Sequence, residues 1–304
     1  MAADRDTLQE KVLRLKKERN AVILGHNYQL GEVQDVADFI GDSLELSQSA
    51  ARTQAAVIVF CGVHFMAETA AILSPDKKVL LPERRAGCPM ANMISPEQLK
   101  QKKKELPGVT VVCYVNTTAR VKAESDICCT SANAVKVVQS LHTDNILFVP
   151  DQYLGYHVSQ ATGIKLHLWP GYCPTHARIQ PQDVTRLKQE YPRAKVVVHP
   201  ECRPEVTALA DEVMSTGGMV RYARREDVAE MIVGTEVGII YRLRRENPGK
   251  KFIPISEQAV CPNMKQITLD KVLWSLEEMT PEVTVPEPVL LRAKLALDRM
   301  LAIS

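Results

Sequence analysis

The chain has 304 residues, of which 45% are hydrophobic, 24% charged and 5% aromatic, a composition typical of a globular protein and not of a disordered or fibrous one. Its formal net charge of +2 is too small to attract nucleic acid or an anionic membrane surface. We therefore expect neither nucleic acid nor a membrane as a partner, and the length allows one, two or three domains.

The amino-terminal segment predicts the cellular compartment. Residues 1–20 are charged throughout and contain neither an apolar core nor a small-residue cleavage site, so they lack the features of an export signal. The most apolar stretch, residues 55–73, is interrupted by His64 and Glu68 and predicts a buried strand followed by a helix, not a membrane span. We expect a cytoplasmic protein with reduced thiols, in which eight cysteines point to metal or redox chemistry.

Apolar runs that predict buried parallel strands recur along the chain in three sets with one period. The first set ends in polar residues at His26, Tyr114 and His199. The second set ends in hydroxyl-bearing turns at Ser43, Ser131 and Ser215. The third set ends at Gly62, Asp151 and Thr235. Helical periodicity lies between these strands, as in Val33, Val36, Ala37 and Ile40, which share one helical face.

This recurrence predicts an α/β fold. Each repeat contains three helix–strand pairs, and continuous apolar strands alternating with helices imply a parallel sheet covered on both faces. We predict three similar α/β/α sandwich domains related by pseudo-threefold symmetry, with the active site at their centre, because ligands bind beyond the carboxyl ends of parallel strands. The predicted domains are residues 1–87, 88–172 and 173–260, followed by a cysteine loop and C-terminal helices in 261–304. Whether the helices of 270–304 pack on the first domain stays open.

Three of the eight cysteines form a pattern of their own. Cys88, Cys173 and Cys261 are each followed by proline and, six residues after the cysteine, by isoleucine; 85 residues separate the first two and 88 the last two. No C-x-x-C occurs, which disfavours a zinc ribbon or a thioredoxin-type site. Three thiolates, one from each repeat, fit an iron–sulfur cluster that keeps one iron open for Lewis-acid catalysis.

Long polar motifs run through the strand ends and cysteine loops: GHNYQLGEVQDVADFIGDS, CYVNTTARVKAESDICCTSANAVKVV, PDQYLGYHVSQATG, WPGYCPTH, HPECRPEV and ISEQAVCPNMK. Together, from about His26 to Met264, they resemble the quinolinate synthase family of NAD biosynthesis. The resemblance implies a transferase that condenses iminoaspartate with dihydroxyacetone phosphate, releasing phosphate and water. It also implies a [4Fe–4S] cluster on Cys88, Cys173 and Cys261, and functional coupling to an L-aspartate oxidase or aspartate dehydrogenase as a source of iminoaspartate.

The resemblance also implies site residues where the family motifs match. The substrate-binding residues would be His26, Ser43, Tyr114, Asn116, Ser131, His199, Glu201 and Thr216, and the catalytic residues Tyr28, Glu201, His26 and Tyr114. Tyr28 and Glu201 are the residues expected to transfer protons, although the order of the transfers stays open. The hydroxyl-bearing residues beside helix N-termini suit anionic substrate groups. His176, in the turn that follows the second cysteine, is a further candidate.

Three alternatives remain open at this point. Another iron–sulfur hydro-lyase acting on a hydroxy acid would share the cluster but would need no phosphate pocket. A zinc- or cluster-stabilised binding or sensor protein would close its metal site with a fourth ligand, for which Cys202 and His176 are the candidates. A dinucleotide-dependent dehydrogenase is disfavoured, because no G-x-G-x-x-G follows any predicted strand.

Overall fold

A computed structural model describes residues 7–303 of the chain. The first six residues of the predicted range 1–87 and the last residue of 261–304 lie outside the described residues. The chain forms two compact units, one of residues 7–87 with 262–285 and the other of 88–261 with 286–303. Three parallel four-stranded sheets are present among the described residues, which confirms the predicted α/β class.

The first unit holds one of these sheets. Its elements up to the first cysteine loop are α1 (Leu8–Glu18), β1 (Ala21–His26), α2 (Gly31–Val36), β2 (Phe39–Gly41), α3 (Ser43–Arg52), β3 (Val57–Cys61), α4 (His64–Leu73) and β4 (Lys78–Leu80). The strand order is β2-β1-β3-β4, and every pair is parallel. Strand β3 is wholly buried and leads into α4, as the apolar stretch predicts.

The second sheet belongs to the second unit. Its elements are α5 (Pro96–Glu105), β5 (Thr110–Tyr114), α6 (Ala119–Lys122), β6 (Ile127–Cys129), α7 (Ala134–Gln139), β7 (Ile146–Val149), α8 (Gln152–Thr162) and β8 (His167–Leu168). The strand order is β6-β5-β7-β8, again all parallel. It repeats the order of the first sheet strand for strand.

The third sheet, also in the second unit, repeats that order once more. Its elements are α9 (Pro174–Ala177), α10 (Pro181–Glu190), β9 (Lys195–Val198), α11 (Pro204–Thr207), β10 (Glu212–Val213), α12 (Thr216–Ala223), β11 (Glu230–Gly234), α13 (Ile239–Glu246) and β12 (Lys251–Pro254). The parallel order is β10-β9-β11-β12. A buried apolar cluster that includes Ile179, Val196 and Ile232 forms part of its core.

Two details differ from the sequence-based expectation. Each sheet has a fourth strand that the sequence pattern does not reveal, because these edge strands are only two to four residues long and too short for a periodic signal. Helix α2 ends at Val36, so Ile40 lies in β2 and not on the helical face with Val33. The backbone becomes extended at Ala37, which turns the chain from the helix into the strand.

An aspartate clamp recurs at the edge of all three sheets, where Asp38, Asp126 and Asp211 precede the second strand of each set. Each Oδ2 accepts the backbone amide of the residue 15 positions earlier, at 2.8 Å from Ile23, 2.7 Å from Val111 and 2.7 Å from Val196. Each aspartate amide donates back to the carbonyl of that same residue. The repeat therefore extends from strand order to individual hydrogen bonds.

The two C-terminal helices divide between the compact units. Helix α14 (Leu269–Glu278) packs against α1 in the first unit, where Arg19 donates to the Glu277 carbonyl at 3.1 Å. Helix α15 (Glu287–Ala302) packs instead on α6 and β6 of the second unit. Its buried face includes Ala293 and Leu297, so the alternative that all of 270–304 covers the first domain is wrong for the last helix. Between residues 7 and 303, no helix is both long and apolar enough to cross a membrane.

Candidate active site

A buried carboxylate lies at the carboxyl end of β9 in the second unit. Glu201 Oε1 accepts hydrogen bonds from the Tyr114 hydroxyl at 2.7 Å and from Asn116 Nδ2 at 3.2 Å. Tyr114 and Asn116 stand at the end of β5 and just beyond it, so two neighbouring sheets supply these groups. All three residues are buried, and the structure brings together three residues predicted from separate motifs.

Two stacked imidazoles occupy the other side of the same carboxylate. His176 Nδ1 lies 2.8 Å from Glu201 Oε2 and His199 Nδ1 lies 3.8 Å from it, with the ring centroids 4.8 Å apart. The outer nitrogen of each ring has a hydroxyl partner. His176 Nε2 is 2.8 Å from Thr235 Oγ1, and His199 Nε2 is 3.1 Å from Ser131 Oγ. The network therefore fixes both rings against Glu201.

The histidines set the charge of Glu201. Burial alone would raise the pKa of Glu201. The charge and the hydrogen bond of His176 lower it, and the charge of His199 and the hydrogen bond from the Tyr114 hydroxyl lower it further. Together they lower the pKa to about 2. Glu201 is therefore an ionised acceptor at neutral pH. Next to it, Asn116 Oδ1 is buried without a hydrogen-bond partner among the described residues, so it offers an acceptor to a bound molecule.

The three proline-followed cysteines differ from the other five in being partly exposed. Burial raises the pKa of Cys88 to about 12, and the charges of Glu201 and Cys261 add to that rise. Burial raises the pKa of Cys173 as well, followed by the charges of Glu201, Cys88 and Cys261. The charges of Glu201 and of the neighbouring thiols thus add to the rise of both pKa values. Since a bound metal takes thiolates, metal binding here would release protons.

The donor set fits a metal cofactor. Ligand atoms of Cys173, His176 and Glu201 all lie within 4.8 Å of one another, close enough to hold a metal ion. The two further thiols of Cys88 and Cys261 add soft ligands of the kind that iron–sulfur clusters use. Cys202, considered above as a fourth ligand, is buried and directs its thiol to the Gly234 carbonyl at 3.5 Å, which is a structural contact.

The remaining predicted residues lie at the expected strand ends and helix starts. Ser43 is the first residue of α3 and Thr216 the first of α12, whereas Ser131 lies in the turn before α7. In the first unit, His26 and Tyr28 are buried with their rings 4.5 Å apart, and the Tyr28 amide donates to His26 Nδ1 at 3.2 Å. The Glu201 amide donates to His199 Nδ1 in the same way, at 3.3 Å.

Three polar residues near the cysteine loops were not predicted as site residues. Thr235, Asp151 and Glu236 are all buried and directly follow strands β11 or β7. Thr235 holds His176, and the Cys261 amide donates to Glu236 Oε1 at 3.1 Å. Asp151 and Thr235 were recognised only as repeat markers. Their position at the carboxyl end of a parallel strand was the signal that could have identified them.

The fold and this site define an α/β enzyme that uses a metal cofactor on a small polar molecule. The chain belongs to the quinolinate synthetase A protein family, whose sequence profile matches residues 10–302. The family predicted from the sequence motifs is thereby confirmed.

Named relatives cover almost the whole chain. A quinolinate synthase of Dehalococcoides mccartyi strain CBDB1 is 67% identical over 299 residues, which are 98% of this chain and 99% of the relative. Quinolinate synthases of Geotalea uraniireducens strain Rf4 (57% identity, 98% of each chain) and Methanoregula boonei (55% identity, 99% of each chain) are similar over the same extent. A solved D-lactate dehydrogenase from a Sporolactobacillus species matches at 12% identity with a TM-score of 0.17, covering 92% of this chain and 97% of its own, which is too weak to bear on fold or function.

Proposed function

We propose that this protein forms quinolinate by condensing iminoaspartate with dihydroxyacetone phosphate, with loss of phosphate and water, in de novo NAD biosynthesis. The observation that carries the proposal is the ionised, buried Glu201 held by Tyr114, Asn116 and His176 in the neighbourhood of three cysteines. The names of relatives at 55–67% identity over nearly the whole chain support the same activity. In the proposed pathway, an L-aspartate oxidase or aspartate dehydrogenase supplies iminoaspartate.

The proposed cofactor is a [4Fe–4S] cluster held by Cys88, Cys173 and Cys261. When bound, such a cluster with three protein ligands supplies one open iron as a Lewis acid for a substrate oxygen. The partial exposure of these three thiols and their mutual charge effects support the assignment. All eight cysteines are free thiols in the structure, which supports our proposal of a reducing, cytoplasmic location.

Glu201 is the proposed proton acceptor of the condensation. Its low pKa keeps it ionised, Tyr114 and Asn116 orient one of its oxygens, and His176 holds the other. The free Oδ1 of Asn116 would accept a hydrogen bond from the substrate amine or a hydroxyl. Tyr28 is proposed as the second acid–base residue.

The other proposed contacts bind the anionic groups of the substrates. We propose His199, Ser131 and Thr216 for the second unit and His26 and Ser43 for the first. Helix starts at Ser43 and Thr216 support this role, because free backbone amides converge there. We also propose that the chain consists of three α/β/α domains with boundaries after residues 87, 172 and 260, supported by the identical strand order of the three sheets.

One experiment tests the activity. Protein purified without oxygen should contain iron and sulfide and form quinolinate from both substrates, and air should abolish the activity. Turnover without dihydroxyacetone phosphate would favour a hydro-lyase instead. Cys88→Ala should lose both cluster and activity, whereas the control Cys61→Ala, at a buried thiol of β3, should keep both. Full activity of Cys88→Ala would refute the cluster assignment.

A further inference from the structure

Each cysteine loop is tied to the end of a strand by the same backbone hydrogen bond. Two residues before Cys88, Cys173 and Cys261, a carbonyl accepts the amide of a residue at or just before the start of α4, α8 or α13, respectively. The bonds run from His64 to Ala86 at 2.8 Å, from Gln152 to Gly171 at 2.8 Å and from Val237 to Ala259 at 3.0 Å. The residues immediately before these donors are therefore structurally equivalent: Val63, Asp151 and Glu236.

Two of these three equivalent residues are buried carboxylates. Glu236 Oε1 accepts the Cys261 amide at 3.1 Å, while its Oε2 accepts the Gly238 amide at 2.7 Å. Each oxygen thus has its own donor, one in the cysteine loop and one at the start of α13. The Glu236 side chain is therefore fixed by the cysteine loop and by the start of α13, since a buried carboxylate with two charge-assisted hydrogen bonds has little freedom to move.

Asp151 repeats only the helix-capping half of this arrangement in the preceding repeat. Its Oδ1 accepts the amides of Tyr153 and Leu154 at 2.8 Å and so caps α8, whereas its Oδ2 is buried without a hydrogen-bond partner among the described residues. The loop that carries Cys173 passes very close to the end of β7. A Cβ atom on Gly171 would lie 2.4 Å from the Pro150 carbonyl oxygen, so only glycine allows the approach.

We propose that Glu236 is a positioning residue for the metal cofactor, because it holds the Cys261 ligand loop in the geometry that binds it. The inference rests on the proposed function, because it takes Cys261 as a cluster ligand. At the equivalent positions, Val63 has no acceptor atom in its side chain and Asp151 Oδ2 has no partner among the described residues, so Cys88 and Cys173 serve as internal references.

The test uses two readouts besides activity. The first is the half-time with which the visible absorbance of the cluster is lost after an iron chelator is added to anaerobic holoprotein. The second is the rate at which iodoacetamide alkylates each cysteine of the apoprotein, located by mass spectrometry. Since the hydrogen bond to the Cys261 amide is lost, cluster loss and alkylation of Cys261 should both become about three- to tenfold faster in Glu236→Ala.

The identity of the cysteine that is alkylated faster distinguishes a positioning role from general destabilisation of the protein. Glu236→Ala should accelerate alkylation of Cys261 and leave Cys173 and Cys88 unchanged. Glu236→Gln keeps one acceptor oxygen and should restore part of the loss. The control Asp211→Asn changes a carboxylate that accepts the amide of Val196 and should alter no cysteine.

Each outcome bears on the inference. Unchanged cluster lifetime and unchanged alkylation of Cys261 in Glu236→Ala would overturn it, as would equal acceleration at all three cysteines. A wild-type protein that holds iron and sulfide but forms no quinolinate would refute the proposed function and leave this test intact. If the wild type held no cluster, the proposed positioning of a cofactor would be overturned, and the alkylation rates would then report only on the loops.

Discussion

Glu201 is buried and ionised at once, a combination that is unfavourable unless every oxygen has a donor. Tyr114 and Asn116 donate to one oxygen, and His176 faces the other at 2.8 Å. These partners offset the free-energy cost of burying the charge, and the result is a fixed acceptor in a buried, hydrogen-bonded network. Such an acceptor suits a reaction in which protons must leave carbon or nitrogen without free access of water.

Replacing Glu201 with glutamine should reduce kcat about 10²- to 10⁴-fold, because the neutral amide cannot serve as the proton acceptor. The amide NH2 would also face donors on Tyr114 or His176, so a modest loss of stability is expected. Steady-state quinolinate formation under anaerobic conditions measures the effect. Thr235→Ser, which keeps the hydroxyl beside His176, is the matched control and should retain activity within about threefold. A Glu201→Gln enzyme with wild-type kcat would refute the role.

At the same scale, the resemblance of the motifs to the family predicts Tyr114, Asn116, Ser131, His199 and Glu201 as site residues, and the structure brings these five into one network. Each of them ends or closely follows a buried strand. The motifs do not single out Glu236, because an acidic residue after a strand is also typical of a helix cap. Its contact with the distant Cys261 amide is a tertiary feature with no local signal.

At the scale of elements, the aspartate clamp explains how each sheet aligns its edge strand. Asp38, Asp126 and Asp211 each exchange two hydrogen bonds with a buried residue of the central strand, which fixes the register of the pair. Sequence periodicity located the long central strands but not the short fourth strands. Sequence periodicity does not reveal the aspartate clamp either, because its two partners are 15 residues apart and of different residue types.

Removing the clamp should destabilise the sheet that contains it. Asp126→Ala leaves the buried amide of Val111 without its acceptor, and Asp211→Ala does the same to Val196, so each should lower the free energy of unfolding by about 1–2 kcal/mol. Denaturant-induced unfolding of the second unit measures the loss. Asn at either position keeps an acceptor oxygen and should lose less. Alanine variants as stable as the wild type would show that water replaces the carboxylate at no cost.

At the scale of the whole molecule, the repeat puts one proline-followed cysteine at the end of each period, and all three belong to the second compact unit. A cofactor bound to Cys88, Cys173 and Cys261 therefore closes loops of 85 and 88 residues within that unit. Its role is then structural as well as chemical, because cross-linking distant segments restricts the unfolded chain. By analogy with a disulfide, closure of a loop of this length is worth about 4 kcal/mol.

Removing the cluster should thus lower the thermal stability of the second unit as well as abolish activity. Anaerobic thermal unfolding of holoprotein and of chelator-treated protein should differ in Tm by about 10 °C or more, since a few degrees correspond to each kcal/mol in a chain of this size. Cys88→Ala, which removes one ligand, should start near the chelated value and respond weakly to chelator. Identical Tm values with and without a cluster would contradict this prediction and would mean that the protein alone already orders the cysteine loops, as the Glu236–Cys261 hydrogen bond does for the third loop.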